Sequence, residues 1–450
     1  MTSSSILFAF LLWTAAPQPG AEPALLARAV VNGVGTACPT VTQGGTTATM
    51  TARVNPNPAT FPVTVCEARV TAGASVALTA NGATTTLPAA TTAPRTVAVL
   101  GDTGCRDDAK KQPCTPQAWP YPAIAAKAAV ANPDLLIHVG DYNYRGTPSK
   151  AVINGKKEEM YNGCRLPAYQ SQNVPGSQSP DGWAAWLADF FTPSGPALTA
   201  APWVVLRGNH ELCSKAGPGW FYFLDPDSTL IDKGYVQNTC TASYQDTLDA
   251  SPPYALAFDT LNLVVMDTAA ACDDAADPVG TPGYTAQMKA VTALAGSGPA
   301  WLLTHRPLWA VSAVPADGKK GETLNATLQS AMAQAGGALP GNVGLVLSGH
   351  LHRFESVAFA DKTGRPPQLI IGDSGVQLSG AKQPSTAKVT VDGLSAHVLQ
   401  DAAFGYMIAT LGKKGDWSGI VYNEKGDRKH AIASCAVPFA KAKDFCDAEK

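Results

Sequence analysis

The chain has 450 residues, a formal net charge of −2, 45% hydrophobic residues and 15% charged residues. The apolar content excludes a disordered chain, and the balance of 33 Lys+Arg against 35 Asp+Glu argues against a dedicated nucleic-acid binder, which needs clustered cations. The length allows one or two domains, and no membrane-spanning helix is expected after the N-terminal segment.

Residues 6–16, ILFAFLLWTAA, have the length of a signal-peptide h-region. They predict a leader spanning residues 1–21, with cleavage between Ala16 and Ala21 and a secreted or periplasmic product. The preceding MTSSS carries no Lys or Arg, and the alternative reading is a buried first strand or helix. Cysteine usage points to export. The ten cysteines are even in number and dispersed, with no C-x-x-C pair that would suit a zinc ribbon or a redox motif. Proximity in sequence suggests Cys38–Cys66, Cys105–Cys114, Cys240–Cys272 and Cys435–Cys446, leaving Cys164–Cys213.

Residues 22–94 are rich in Thr, Val and Ala and lack helical periodicity. TATMTARV and FPVTVCEARV read as strands, and Asn81-Gly82 reads as a hairpin turn. A small N-terminal β-sandwich is predicted, joined by PAATTAPR to the remainder, residues 95–450. There the texture changes. Apolar runs such as TVAVLGD, DLLIHVGD, PWVVLRGNH, LNLVVMD, AWLLTH, GLVLSGH and QLIIGD end at polar corners. Helical stretches (PAIAAKAAVAN, DGWAAWLADFF, GYTAQMKAVTALAG, LNATLQSAMAQAG) lie between several of them. That alternation predicts an α/β domain with its chemistry at the carboxyl ends of the strands. After residue 369 strands dominate, as in KVTVDG, FGYMIATL, WSGIVYN and KHAIASC. The insert at residues 145–180 reads as a long loop.

Five corners carry metal-ligand side chains: Asp102 in GDTG, Asp141 and Tyr144 in GDYNY, Asn209 and His210 in GNHE, His305 after LLT, and His350 and His352 in GHLH. Singly each has an ordinary explanation, such as a helix cap, a turn or a hydrogen-bonded histidine. Together they form a hard-to-borderline donor set suited to two metal ions a few ångströms apart, with one carboxylate between them. Four of the seven histidines fall in these corners.

In order and residue type, GDTG, GDYNY, GNHE, LLTH and GHLH resemble the motifs of the calcineurin-like metallophosphoesterases. They are most similar to the purple acid phosphatase branch, whose Gly-Asp-x-x-Tyr is matched by Asp141 and Tyr144. The resemblance covers residues 96–440. It implies a four-layer α/β/β/α sandwich of two facing sheets flanked by helices, preceded by a small all-β domain. It further implies one metal on Asp102, Asp141, Tyr144 and His352, and a second on Asp141, Asn209, His305 and His350. His210 would stand over the substrate phosphoryl group, outside both ligand sets. A phenolate is a hard anionic ligand, so Tyr144 implies Fe(III), with a divalent Fe, Zn or Mn ion beside it.

The activity implied is hydrolysis of a small-molecule phosphate monoester by a metal-bound hydroxide, with Asn209 holding phosphoryl charge and His210 as general acid. A phosphodiesterase or nucleotide hydrolase would use the same residues. A non-catalytic phosphate-binding surface protein is disfavoured because every ligand position is filled. Arg207 is a candidate phosphate-positioning residue or, equally, a salt-bridged structural one. His138 reads as core, and His397 and His430 belong to no constellation. Trp220, Phe221 and Phe223 read as core before substrate platform. Lys319 and Lys320 read as a solvated pair with a lesser chance of binding a second phosphate. Asp373 and Ser374 stand where relatives have a Gly-rich strand end. Nothing in the sequence specifies the oligomeric state.

Overall fold

A computed structural model describes residues 5–15, 22–107, 109–145, 150–153, 156–159, 181–226, 240, 248–311, 322–359, 365–380, 384–413, 415–437 and 445–449. Most of the 145–180 insert, Cys164, Lys319 and Lys320 lie outside them.

Two large sheets face one another. The first has eleven strands and the second eight. In the first sheet, Thr96–Leu100, Leu135–His138 and Trp203–Val205 run parallel in the centre. In the second, Asn262–Val265, Ala300–Leu303 and Val343–Ser348 do the same. These parallel strands are apolar on both faces, as burial between helices and a second sheet requires. Alternate residues separate the layers. Val97, Val99 and Ile137 join the core between the sheets, with Leu263, Leu303 and Leu345 from the opposite side. Ala98, Leu100 and Leu136 point outward against the helices Tyr121–Val130 and Gly217–Phe223. The second sheet is covered by Gly280–Leu294 and Ala326–Gln334. The latter helix starts where the Asn325 side chain accepts a hydrogen bond from the Leu328 N–H at 2.8 Å. The four-layer α/β/β/α arrangement therefore holds.

The late strands divide between the sheets. Ser385–Val391 and Leu394–Asp401 extend the second, whereas Gly405–Leu411, Trp417–Asn423 and Ala431–Val437 extend the first.

The N-terminal region is all-β, with a difference from expectation. Val76–Ala80 and Ala83–Leu87 pair through Asn81-Gly82, both at positive φ, as a hairpin of this kind demands. They belong to a four-stranded sheet that covers one face of the neighbouring strands. Ala24–Asn32 and Val63–Val70, however, are not walled off from the rest of the molecule, because they continue the eleven-stranded sheet.

The connection is made by the segment expected to be a leader. Ile6–Thr14 is a strand, antiparallel to Ala24–Asn32 along its whole length and parallel to Trp203–Val205 at Leu12. Ala9, Leu11 and Trp13 enter the core between the sheets, while Phe10 and Leu12 enter the outer core. Trp13 meets Phe258 of the opposite sheet edge-on, with ring centroids 5.2 Å apart. The alternative of a buried first strand is the one realised here. A signal-peptide h-region and a strand apolar on both faces have the same composition.

A buried ion cluster ties the same region to the helix Gly217–Phe223. Glu67 Oε2 accepts from Arg28 and Arg53, each at 2.7 Å. The two guanidiniums also donate to the carbonyls of Phe223 (3.0 Å) and Phe221 (2.7 Å), at the C-terminal end of Gly217–Phe223. Cations are favourable at that end of a helix.

Disulfides Cys38–Cys66, Cys105–Cys114 and Cys435–Cys446 form as expected. Cys213 pairs with Cys240 instead of Cys164, and Cys272 is bonded to a partner outside the described residues. Spatial proximity overrides sequence order here, since the Cys213 and Cys240 Cα atoms are 5.3 Å apart. Among the described residues no helix is long and apolar enough to cross a membrane.

A chain beginning at Glu22 would expose the apolar faces left by the first strand. It should fail to give soluble protein with a cooperative melting transition. A truncated chain that melts at the full-length temperature would show that residues 6–14 are dispensable to the fold.

Candidate metal centre

The parallel registers place the ends of both sets of strands side by side. His138 is level with Leu100 and with Val205, and Leu303 is level with Val265 and with Leu347. The corners beyond these ends converge at one edge of the sandwich. Sharp reversals there need unusual backbone. Asp102, Asp141 and His350 take φ of 54°, 62° and 72°, a region that non-glycine residues rarely occupy. Gly140 has φ 104°, and a Cβ on it would lie 2.5 Å from His305 Nδ1, so only glycine fits.

Glu211 fixes the corners to each other. Its buried carboxylate accepts N–H bonds from Tyr142 (2.8 Å), Asn143 (3.1 Å), Asp141 (3.1 Å) and Gly208 (3.1 Å). Asp141 Oδ1 in turn accepts from the His210 N–H at 2.8 Å. The Asp102 carboxylate accepts from the His350 N–H, at 2.9 Å to Oδ2.

All seven expected ligands are brought together in two groups. Ligand atoms of Asp141, His305 and His350 lie within 4.8 Å of one another, as do those of Asp102, Asp141 and His352. Asp141 is common to both. Asn209 Oδ1 joins the first group, 3.0 Å from His305 Nε2 and 2.7 Å from His350 Nδ1. The Tyr144 hydroxyl joins the second, 2.7 Å from Asp141 Oδ2, 3.1 Å from Asp102 Oδ1 and 3.0 Å from His352 Nε2.

The protons on the imidazoles show what the cluster is built for. His305 Nδ1 is 2.8 Å from the Val139 carbonyl, and His352 Nδ1 is 3.0 Å from the Gln377 carbonyl. A carbonyl only accepts, so each of these nitrogens carries the hydrogen. His350 Nε2 lies 2.9 Å from Asp273 Oδ2, an acceptor, and 3.1 Å from Arg306 Nη1, a donor. In the neutral rings, His305 Nε2 and His352 Nε2 therefore turn lone pairs inward. They meet two carboxylates and an amide oxygen, which are also acceptors. A convergence of acceptors is stable around cations, and the residues present fit two metal ions.

The electrostatics agree. Burial opposes charge on His305, yet Asp141 and Asp102 raise its pKa to about 9. Burial lifts Asp102 to about 8 against the pull of His305, with Asp141 adding to the rise. Burial would raise Asp141 too, but His305 and His210 hold it well below the usual carboxylate range.

His210 is in neither group. Its ring lies against Tyr144, with centroids 3.9 Å apart, and its Nδ1 is buried with no hydrogen-bond partner. Burial, then Lys215, keep its pKa well below the ordinary histidine value.

Other candidates resolve differently. Arg207 does not reach the centre. Its guanidinium is buried between Asp249 and Asp267, at 2.9 Å each, and lies over Phe221, so it is a structural residue. His138 is core, with Nε2 2.9 Å from Thr103 Oγ1, its ring stacked 4.0 Å from Tyr142 and its pKa lowered by burial to about 3. Trp220, Phe221 and Phe223 are buried. His430 pairs with Asp427 at 2.5 Å, away from the site. Ser374 preserves the strand end despite lacking the expected glycine, because Oγ accepts from the Gly101 N–H at 3.1 Å and its own N–H donates to Gly101 O. Asp373 beside it is wholly buried, which raises its pKa to about 8. The loop after His305 is described only as far as Val311.

Three functional residues carry no role that the sequence alone assigns. Glu211 is visible beside His210 in the GNHE corner. Asp273, which holds His350 and also pairs with Arg306, sits in no recognisable motif. Thr268 Oγ1 accepts the N–H of His305 (3.0 Å) and of Arg306 (2.9 Å), and it too lacks a signature.

The sequence model of calcineurin-like phosphoesterases matches residues 95–354, more than half of the chain, and the chain belongs to that family. The fold is similar to that of a purple acid phosphatase isolated from yellow lupin (Lupinus luteus) seeds, with a TM-score of 0.56 and 13% sequence identity, covering 94% of this chain and 72% of that one. A search of curated proteins finds no match.

Replacing Asp273 with Asn should weaken metal binding, because His350 loses the charged neighbour that orients its ring. Such changes lower affinity by about 10–100-fold. Metal titration of Asp273→Asn against the parent protein checks this, and an unchanged affinity would remove Asp273 from the centre.

Proposed function

We propose that this phosphoesterase is an exported enzyme that retains residues 6–14 as a strand and hydrolyses phosphate monoesters, with His210 as general acid. The observation that carries the reading is the pair of inward-facing acceptor groups that share Asp141, with His210 left outside both. In this reading Asp102, Asp141, Tyr144 and His352 hold one ion, Fe(III), and Asp141, Asn209, His305 and His350 hold a divalent Fe, Zn or Mn ion. Bound there, the two ions would supply positive charge to the phosphoryl oxygens and an activated water as nucleophile.

The protein's own groups do the rest. Asp102 and Asp141 fix the ligand geometry through the N–H bonds they accept from His350 and His210. Asn209 turns its carbonyl oxygen to the imidazoles of His305 and His350. His210 has a buried nitrogen with no protein partner and a ring lodged on Tyr144, so its orientation is fixed before substrate arrives. Burial keeps it neutral in the free protein. The negative charge of an arriving phosphate favours uptake of a proton to form the imidazolium, which gives that proton to the leaving alkoxide and returns to the neutral ring. Export is supported by four disulfides among the described residues.

Asp141→Ala should abolish turnover and lower bound metal at both positions. His210→Ala should retain metal and lose about 10²–10⁴-fold in kcat, less for a nitrophenyl ester whose leaving group needs little protonation. Loss of a metal ion in His210→Ala would make His210 a ligand. Equal losses across leaving groups would make it a stabiliser of phosphoryl charge.

Iron on Tyr144 predicts a visible phenolate charge-transfer band that Tyr144→Phe bleaches. A colourless, fully active protein containing only Zn or Mn would overturn the iron assignment and leave the two-metal assignment standing.

A further inference from the structure

Arg106 lies in the first ligand corner, four residues after Asp102, and the ligand sets and proton donor leave it unused. Its segment is braced on several sides. Cys105 is bonded to Cys114, the Trp119 indole donates to Thr103 O at 2.7 Å, and the Arg106 N–H donates to Gln112 Oε1 at 3.3 Å. The half-buried side chain is directed to the metal centre, with the guanidinium carbon 5.3 Å from the centroid of the Tyr144 ring.

An arginine so placed would ordinarily be neutralised by an acid. The adjacent Asp107 is committed to Arg145 at 2.8 Å, and Arg145 also takes Asp189 at 2.5 Å. Among the described residues no carboxylate pairs with Arg106, and its Nε is buried without a hydrogen-bond partner. A buried donor left unsatisfied is costly. The second unpartnered group here is His210 Nδ1, on a ring tilted against the same phenol. Two unsatisfied nitrogens, one of them cationic, therefore flank the Tyr144 ring whose hydroxyl enters the ligand cluster. A cation–π contact explains where Arg106 rests but leaves its Nε unmet. An anion delivered beside Tyr144 meets it.

We propose that Arg106 is a substrate-recognition residue that binds a non-bridging phosphoryl oxygen and selects phosphate monoesters over diesters. This rests on the phosphoesterase reading above. Coulomb attraction scales with charge, so a monoester dianion gains about twice what a diester monoanion gains from one fixed cation. The diester has also replaced one charged oxygen with an alkoxy group, which cannot accept a charge-assisted bond of the same strength.

The test compares metal-loaded parent protein with Arg106→Ala and Arg106→Lys, using 4-nitrophenyl phosphate and bis(4-nitrophenyl) phosphate. Metal stoichiometry is measured on each. If the diester is not turned over, its inhibition constant against the monoester takes the place of its rate. Arg106→Ala should lose about 10–100-fold in kcat/KM for the monoester, the worth of a hydrogen bond to a charged group. Its diester value should change by less than about 3-fold, and its metal content should stay the same. Arg106→Lys should recover part of the monoester loss, because it keeps the charge without the planar fork. Equal losses on both substrates, or loss of metal, would make Arg106 a support for Tyr144 and overturn the proposal. So would an unchanged monoester rate. Parent protein that hydrolyses neither ester when loaded with metal would instead refute the phosphoesterase reading itself.

Discussion

Four backbone N–H groups from two different corners end on one buried carboxylate. Glu211 takes those of Gly208, Asp141, Tyr142 and Asn143, and the centre depends on that convergence. These donors lie where the chain leaves the sheet, beyond the reach of ladder pairing. Left unmet in the interior, each would cost about 1–3 kcal/mol. With them satisfied, Asp141 is locked beside Asn209, and its carboxylate faces both ligand groups. The same network reaches His210 through its N–H, so the residue read as proton donor is placed by the residue read as shared ligand. Burial, followed by the nearby Asp141, raises the pKa of Glu211 to about 8.

The corners were legible because their chemistry is local. A strand of a few apolar residues must end, and in GDTG, GDYNY, GNHE and GHLH the ligands stand in adjacent letters at that end. The register of parallel strands then does the assembling, so residues 248 positions apart, Asp102 and His350, share a hydrogen bond. Asp273 and Thr268 were illegible for the complementary reason. They act through bonds to residues far away in sequence, and nothing beside them in the chain announces it. Arg207 stayed open between phosphate and a structural salt bridge because the acids that neutralise it, Asp249 and Asp267, arrive from another part of the fold.

The N-terminal strand shows a different limit. Composition cannot separate an apolar segment destined for removal from one destined for the middle of a sheet, since both exclude charge. Only the partners decide, and here Ala24–Asn32 and Trp203–Val205 lie on either side. The all-β region is thereby an extension of the catalytic sheet. Through Arg28, Glu67 and Arg53 it also grips the helix just beyond the GNHE corner. A movement of that region would be felt behind His210.

Asp102, Asp141 and His350 all hold backbone angles in the left-handed region. For residues with a Cβ this conformation carries strain on the order of 1 kcal/mol each, and glycine would relieve it. Of the seven described non-glycine residues with positive φ, three are thus among those read as metal ligands. Selection for a sturdier fold and selection for the reaction pull against each other at the same sites. Among descendants of such a chain, those freed from catalysis would drift towards glycine at these corners first. A relative with glycine at all three would be recognisable from sequence as a retired enzyme with its scaffold intact.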